Sequence, residues 1–128
     1  MRSRILYISG DAEDVRNLSK ILNPLPLILD HAESVECARS KLQTGDYDVI
    51  VTEAVLPDGK WLDVLHLVRE SLREPQVIVT DQNADTRFWA EALNLGACDF
   101  LTRPFDPPEV QRILFKACSR SGSRLSAV

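Results

Sequence analysis

Short unbroken apolar runs alternate along the chain with longer stretches in which apolar residues return every three or four positions. The runs at 5–8, 27–29, 49–51, 77–79 and 100–101 fit strands buried on both faces. Between them, helical spacing gathers Val15, Leu18, Ile21 and Leu22 on one face, then Val35, Ala38 and Leu42, then Leu62, Leu65, Val68 and Leu72. A fourth face carries Phe88, Ala92 and Leu95, and a fifth Val110, Ile113, Leu114 and Ala117. Asn23-Pro24 closes the first helix, Gly45 the second and Gly96 the fourth, while Pro107-Pro108 opens the fifth. Strict alternation of strand and helix predicts an α/β fold: a doubly wound, five-stranded parallel sheet flanked by five helices, with right-handed crossovers. The order 2-1-3-4-5 puts Pro26, just before the second strand, at an edge, where proline is tolerated.

In such a sheet the winding reverses between strands one and three, and ligand sites form there, beyond the carboxyl ends of the strands. Ser9, Gly10 and Asp11 end strand one, and Glu53 ends strand three. Strand four delivers a hydroxyl, Thr80, and strand five a cation, Arg103. Topology and residue chemistry therefore select one corner.

Composition narrows what that corner serves. With 128 residues the chain fits one domain, set at residues 1–118, and the small, polar, aperiodic segment 119–128 reads as a flexible tail or the start of a linker. A net charge of −4 and 45% hydrophobic residues suit a soluble protein and argue against a dedicated nucleic-acid surface. Cys37, Cys98 and Cys118 are odd in number and lack ligand spacing, so they read as small apolar residues in a reducing cytoplasm. Met1-Arg2-Ser3-Arg4 leads into a run too short for a signal peptide or a membrane span. His31 and His66 are isolated and read as surface residues; Trp61 and Trp89 lie off the apolar stripes, as interface anchors or half-buried against a neighbour.

Glu53 followed by Pro57 and Gly59, Gly96-Ala97, Arg103-Pro104-Phe105 and the strand-end residues together carry a resemblance from Ile5 to Ala117. On them the chain resembles the receiver domain of bacterial two-component response regulators, a CheY-like member of the flavodoxin-like folds. The resemblance implies a regulatory module and not an enzyme. An aspartate at the position of Glu53 would take a phosphoryl group from a histidine kinase, and magnesium would be held by that residue, by an acid pair at the positions of Ser9 and Gly10, and by the carbonyl of Val55. Thr80 and Phe100 would be the switch residues, Arg103 would stand where the family has a phosphate-binding lysine, and Arg103-Pro104 would be a cis peptide.

This chain departs from that pattern on several sides. Ser9 and Gly10 carry no charge, which leaves Asp11, with Glu53 and Val55, as a weak or absent magnesium site. Asp11 otherwise reads as an N-terminal residue of the first helix, beside Glu13 and Asp14. Asp81 would set a negative charge near Glu53. Arginine at position 103 suits a bidentate bond to a carboxylate, so a standing Glu53–Arg103 ion pair is expected. Phe100 lacks the hydroxyl of a tyrosine and reads first as a buried core aromatic.

Three functions follow as readings. The first is an atypical receiver acting as a regulatory protein-interaction module without standard aspartyl phosphorylation; the second keeps a phosphorylatable switch that uses Glu53 or a nearby acid with Mg2+. The third, a flavodoxin-like small-ligand binder, is opposed by Asp11, Glu13 and Asp14, which would repel an anion at the first helix start. The resemblance implies as partners a histidine kinase or another signalling protein, a second copy through the fourth helix, fifth strand and fifth helix, and an output domain beyond the C-terminus. Neither nucleic acid nor membrane is expected as a direct partner.

Overall fold

The computed structural model describes residues 3–71, 74–82 and 86–126. In chain order the elements are β1 (Ser3–Ile8), α1 (Ala12–Leu22), β2 (Leu27–Ala32), α2 (Val35–Thr44), β3 (Val49–Glu53), β4 (Val55–Leu56), β5 (Gly59–Lys60), α3 (Trp61–Arg69), β6 (Gln76–Asp81), α4 (Thr86–Leu95), β7 (Asp99–Thr102) and α5 (Pro107–Ser126). Five strands form one sheet in the order β2-β1-β3-β6-β7, all pairs parallel. That is the predicted 2-1-3-4-5 topology, with β2 at the edge behind Pro26. The small antiparallel ribbon of β4 and β5 is an addition, folded from the loop after Glu53.

Strand parity divides the interior into two layers, because successive side chains point to opposite faces. Ile5, Tyr7, Val49, Val51, Ile78 and Leu101 pack with Leu18 and Leu22 of α1 and with Val110, Ile113, Leu114 and Ala117 of α5. Leu6, Ile8, Ile50, Val77, Val79 and Phe100 face Val35 and Ala38 of α2, Val64, Leu65 and Val68 of α3 and Ala92 of α4.

Two apolar assignments change. Trp61 is buried at the start of α3 and joins the second layer, whereas Leu95 is exposed at the C-terminal end of α4. Leu95 lies in the last turn, where the chain turns away through Gly96 at φ 125°, a conformation that favours glycine. A Cβ at Gly96 would lie 2.7 Å from Arg69 Nη2, the group that donates to the Leu95 carbonyl and caps α4. Leu72, placed on the apolar face of α3, lies outside the described residues. The backbone of α5 stays helical to Ser126, past Ser119, where the apolar period ends.

Candidate functional site

The same parity builds the site. Glu53 follows Val49 and Val51, Thr80 follows Ile78, and Arg103 continues from Leu101, so all three belong to the layer facing α1 and α5. Glu53 and Thr80 are register partners across β3 and β6. Opposite them, the first turn of α1 supplies Asp14.

Arg103 Nη1 donates to Glu53 Oε1 at 2.6 Å and to Asp14 Oδ2 at 2.5 Å. The expected Glu53–Arg103 pair is therefore present, but as half of a two-carboxylate arrangement. The side chains are nearly enclosed, with exposures of 11% for Arg103, 9% for Glu53 and 19% for Asp14. Burial works against the charged guanidinium, yet the hydrogen bond to Asp14 and the charge of Glu53 outweigh it and hold Arg103 more firmly protonated than usual. The second Glu53 oxygen, Oε2, accepts from the Gly10 N–H at 3.3 Å. Arg103-Pro104 is a cis peptide.

Strand one meets the corner with main chain and packing instead of acids. The Asp11 N–H donates to Ser9 Oγ at 3.0 Å. A Cβ at Gly10 would lie 3.1 Å from Pro57 Cγ, so the residue is small because the loop after β3 presses on it. His31, expected at the surface, is half-buried, with Nε2 donating to the Ser9 carbonyl at 2.8 Å. Tyr7 is buried in the same layer; burial, reinforced by Glu53, pushes its phenol far above the usual value.

The residues present do not fit magnesium. Asp11, the carboxylate left to replace the missing acids, instead caps α1, accepting from the Glu13 N–H at 2.9 Å and the Asp14 N–H at 3.4 Å. Val55, whose carbonyl is the expected ligand, opens the small ribbon and pairs there with Lys60. Among the described residues no group of three or more His, Cys, Asp or Glu side chains is arranged to hold a metal. The nitrogen of Arg103 stands between the two acids that do converge.

Thr80 is fully buried, and its Oγ1 finds no hydrogen-bond partner among the described residues. Asp81 turns its carboxylate to the Gln82 N–H at 2.7 Å, while its carbonyl accepts from the Arg103 N–H at 3.1 Å. Phe100 sits on the opposite face, edge-on to Phe88 at 5.7 Å and tilted against Trp89 at 5.9 Å. Sequence reasoning missed two features. Asp14 was read only as a helix-start acid, although its place three residues after the Asp11 cap turns it inward; and Arg112, Lys116 and Arg120, at four-residue spacing, form an exposed basic row on α5 that the net charge conceals.

The sequence model of the response regulator receiver domain matches residues 5–115. The chain belongs to the response regulator receiver domain family. Among curated relatives, this receiver domain is 33% identical over 115 residues to the response regulator protein PilR of Pseudomonas aeruginosa, covering 86% of this chain and 25% of the relative. It is 26% identical over 102 residues to the probable transcriptional regulatory protein SilR of Salmonella typhimurium, covering 80% of this chain and 45% of the relative. The chain thus spans less than half the length of either. In three dimensions it is similar to the signal receiver domain of an HD domain-containing protein from Pseudomonas fluorescens Pf-5, with TM-score 0.87, 22% identity and coverage of 99% of this chain and 94% of the other. It is also similar to the chemotaxis response regulator CheY4 of Vibrio cholerae, with TM-score 0.82, 18% identity and coverage of 91% and 99%. Both likenesses concern the fold.

Proposed function

We propose that this receiver domain is an atypical member that regulates by binding partners, without standard aspartyl phosphorylation. One observation carries the reading: the residue in the phosphoacceptor position is a glutamate whose two oxygens are held, one by Arg103 and one by Gly10. Phosphoryl transfer needs an in-line approach to a free oxygen and neutralisation of developing charge. Here the nucleophile is engaged and the principal cation is shared with Asp14. The domain is read as residues 1–118 with 119–128 as a tail or the start of a linker, and the cytoplasm as its place; among the described residues no helix is long and apolar enough to cross a membrane.

The partners of this reading are a histidine kinase or another signalling protein, and a second copy through α4, β7 and α5. Trp89, Leu93 and Phe115 support that surface, since all three are large apolar residues left exposed on α4 and α5. A second reading, a phosphorylatable switch, is favoured by one feature, the buried Thr80 hydroxyl beside the end of β3, which has no hydrogen-bond partner among the described residues. Incubation with acetyl phosphate or beryllofluoride plus Mg2+, followed by intact mass and backbone NMR, separates the two. Unchanged mass and unshifted Gly10 and Ala54 amides are expected. A stable adduct, or large magnesium-dependent shifts with beryllofluoride, establishes the switch instead.

A further inference from the structure

Two carboxylates from different elements, Asp14 on α1 and Glu53 on β3, place one oxygen each on the same guanidinium nitrogen, at 2.5 and 2.6 Å. Two negative groups so close, and so little exposed, repel each other strongly unless a cation lies between them. We propose that Arg103 is a built-in replacement for a divalent cation: its Nη1 occupies the place where an ion would bridge the two acids, so that the receiver corner is assembled, and kept assembled, without metal. The proposal deepens the phosphorylation-independent reading and rests on it.

Three further facts support it. Neither oxygen of Glu53 is left over, because the one not held by Arg103 accepts from Gly10. Of the other acids by the corner, Asp11 is committed to the first turn of α1, and Asp81 turns its carboxylate to the Gln82 N–H. Ser9 turns its hydroxyl to the backbone of its own loop. A divalent ion would have to displace the guanidinium to reach two carboxylate oxygens, since Mg2+ requires a nearly octahedral shell of oxygens. Arginine cannot give up its proton in a protein and cannot diffuse away, so this cation is permanent where a metal would depend on supply. Asp14 is then a positioning residue, holding Nη1 against Glu53 from the side of α1.

The experiment uses the whole chain with Mn2+ and Mg2+ as probes, in wild type, Arg103→Gln and Arg103→Gln combined with Asp14→Asn. Paramagnetic broadening by Mn2+ is read at the amides of Gly10, Asp14 and Ala54. The thermal midpoint is compared in Mg2+ and in NaCl of matched ionic strength. Wild type is expected to show neither site-specific broadening nor a magnesium-specific shift. Arg103→Gln is expected to bind Mn2+ at these amides at least about tenfold more tightly than wild type, to gain thermal stability from Mg2+ beyond that from NaCl, and to lose both effects when Asp14→Asn is added. Equal Mn2+ affinity in wild type and Arg103→Gln, or a folded Arg103→Gln that shows no divalent-specific response, overturns the proposal. Should Arg103→Gln fail to fold in metal-free buffer, it is refolded in each salt. A native amide spectrum in Mg2+ alone supports the replacement, and failure in both overturns it. An acetyl phosphate adduct on wild type would remove the phosphorylation-independent reading separately, by mass and not by metal response.

Discussion

Glu53 is one methylene longer than the aspartate of the family pattern, and that length fits a carboxylate reaching a guanidinium across the layer. Opposite charge and topology made the pair with Arg103 legible in the sequence. Asp14 was not, because only the inward turn of α1, fixed by the Asp11 cap, aims it at the corner. Removing the cation should leave two nearly enclosed acids uncompensated. Arg103→Ala is therefore expected to lower unfolding stability by about 3 kcal/mol, the low end for breaking a buried pair, read from the urea midpoint. Adding Glu53→Gln and Asp14→Asn should recover part of that loss; no recovery would show that the repulsion is not what Arg103 offsets. The two tyrosines offer a titration of a different kind. Tyr47 is buried and donates to Asp30 Oδ2 at 2.8 Å, which pushes its phenol up to about 12, and Tyr7 lies higher still. A raised phenol contributes fully below the ordinary value of about 10, and the contribution falls as pH rises from there through the folded value. Phenolate absorbance in the folded protein should thus be absent near pH 10 and appear only together with, or beyond, the titration of Tyr47; a step near 10 contradicts the buried placement of both rings.

Among the elements, the main strands and helices were legible because burial on both faces and helical spacing leave different periods. The ribbon of β4 and β5 was not, since its two short strands have no apolar period and form only where Lys60 and Asp63 brace the start of α3. Trp61 was misjudged for a related reason: it begins its helix, where the stripe is too short to define a face, and the ribbon folds it inward. That ribbon also holds α2. Asp58 accepts from the Val35 N–H at 2.8 Å and the Glu36 N–H at 3.1 Å, and those two bonds draw its carboxyl below the usual range. A depressed carboxyl contributes above the unfolded value and loses that contribution as pH falls through the folded one. Amide exchange at Val35 and Glu36 should accelerate over that acidic window, relative to other α2 amides, and Asp58→Ala should show the faster rate already at neutral pH. Equal rates would mean that the cap is not made. At the far side, Gly96→Ala meets both an unfavourable φ and the Arg69 cap, for an expected cost of about 1–2 kcal/mol in urea unfolding. Its measured stability relative to wild type checks this.

Taken whole, the receiver domain combines a conventional frame with a corner in which one cation holds two carboxylates. If regulation runs through partner contact, acetyl phosphate with Mg2+ should leave the sedimentation coefficient unchanged at every protein concentration; a phosphate-dependent shift would restore the switch reading. The topology was readable from alternation alone, and the corner's position came with it, whereas the basic row of α5 was hidden by an overall acidic composition. The central sheet has a last consequence. Phe100 lies within β7 and Arg103 just beyond its end, close in sequence but on opposite faces of the sheet, so the sheet divides their surroundings. Trp89 leans on Phe100 on one side, while the ion cluster lies on the side of α1 and α5. The sheet thus stands as a wall between the two sides.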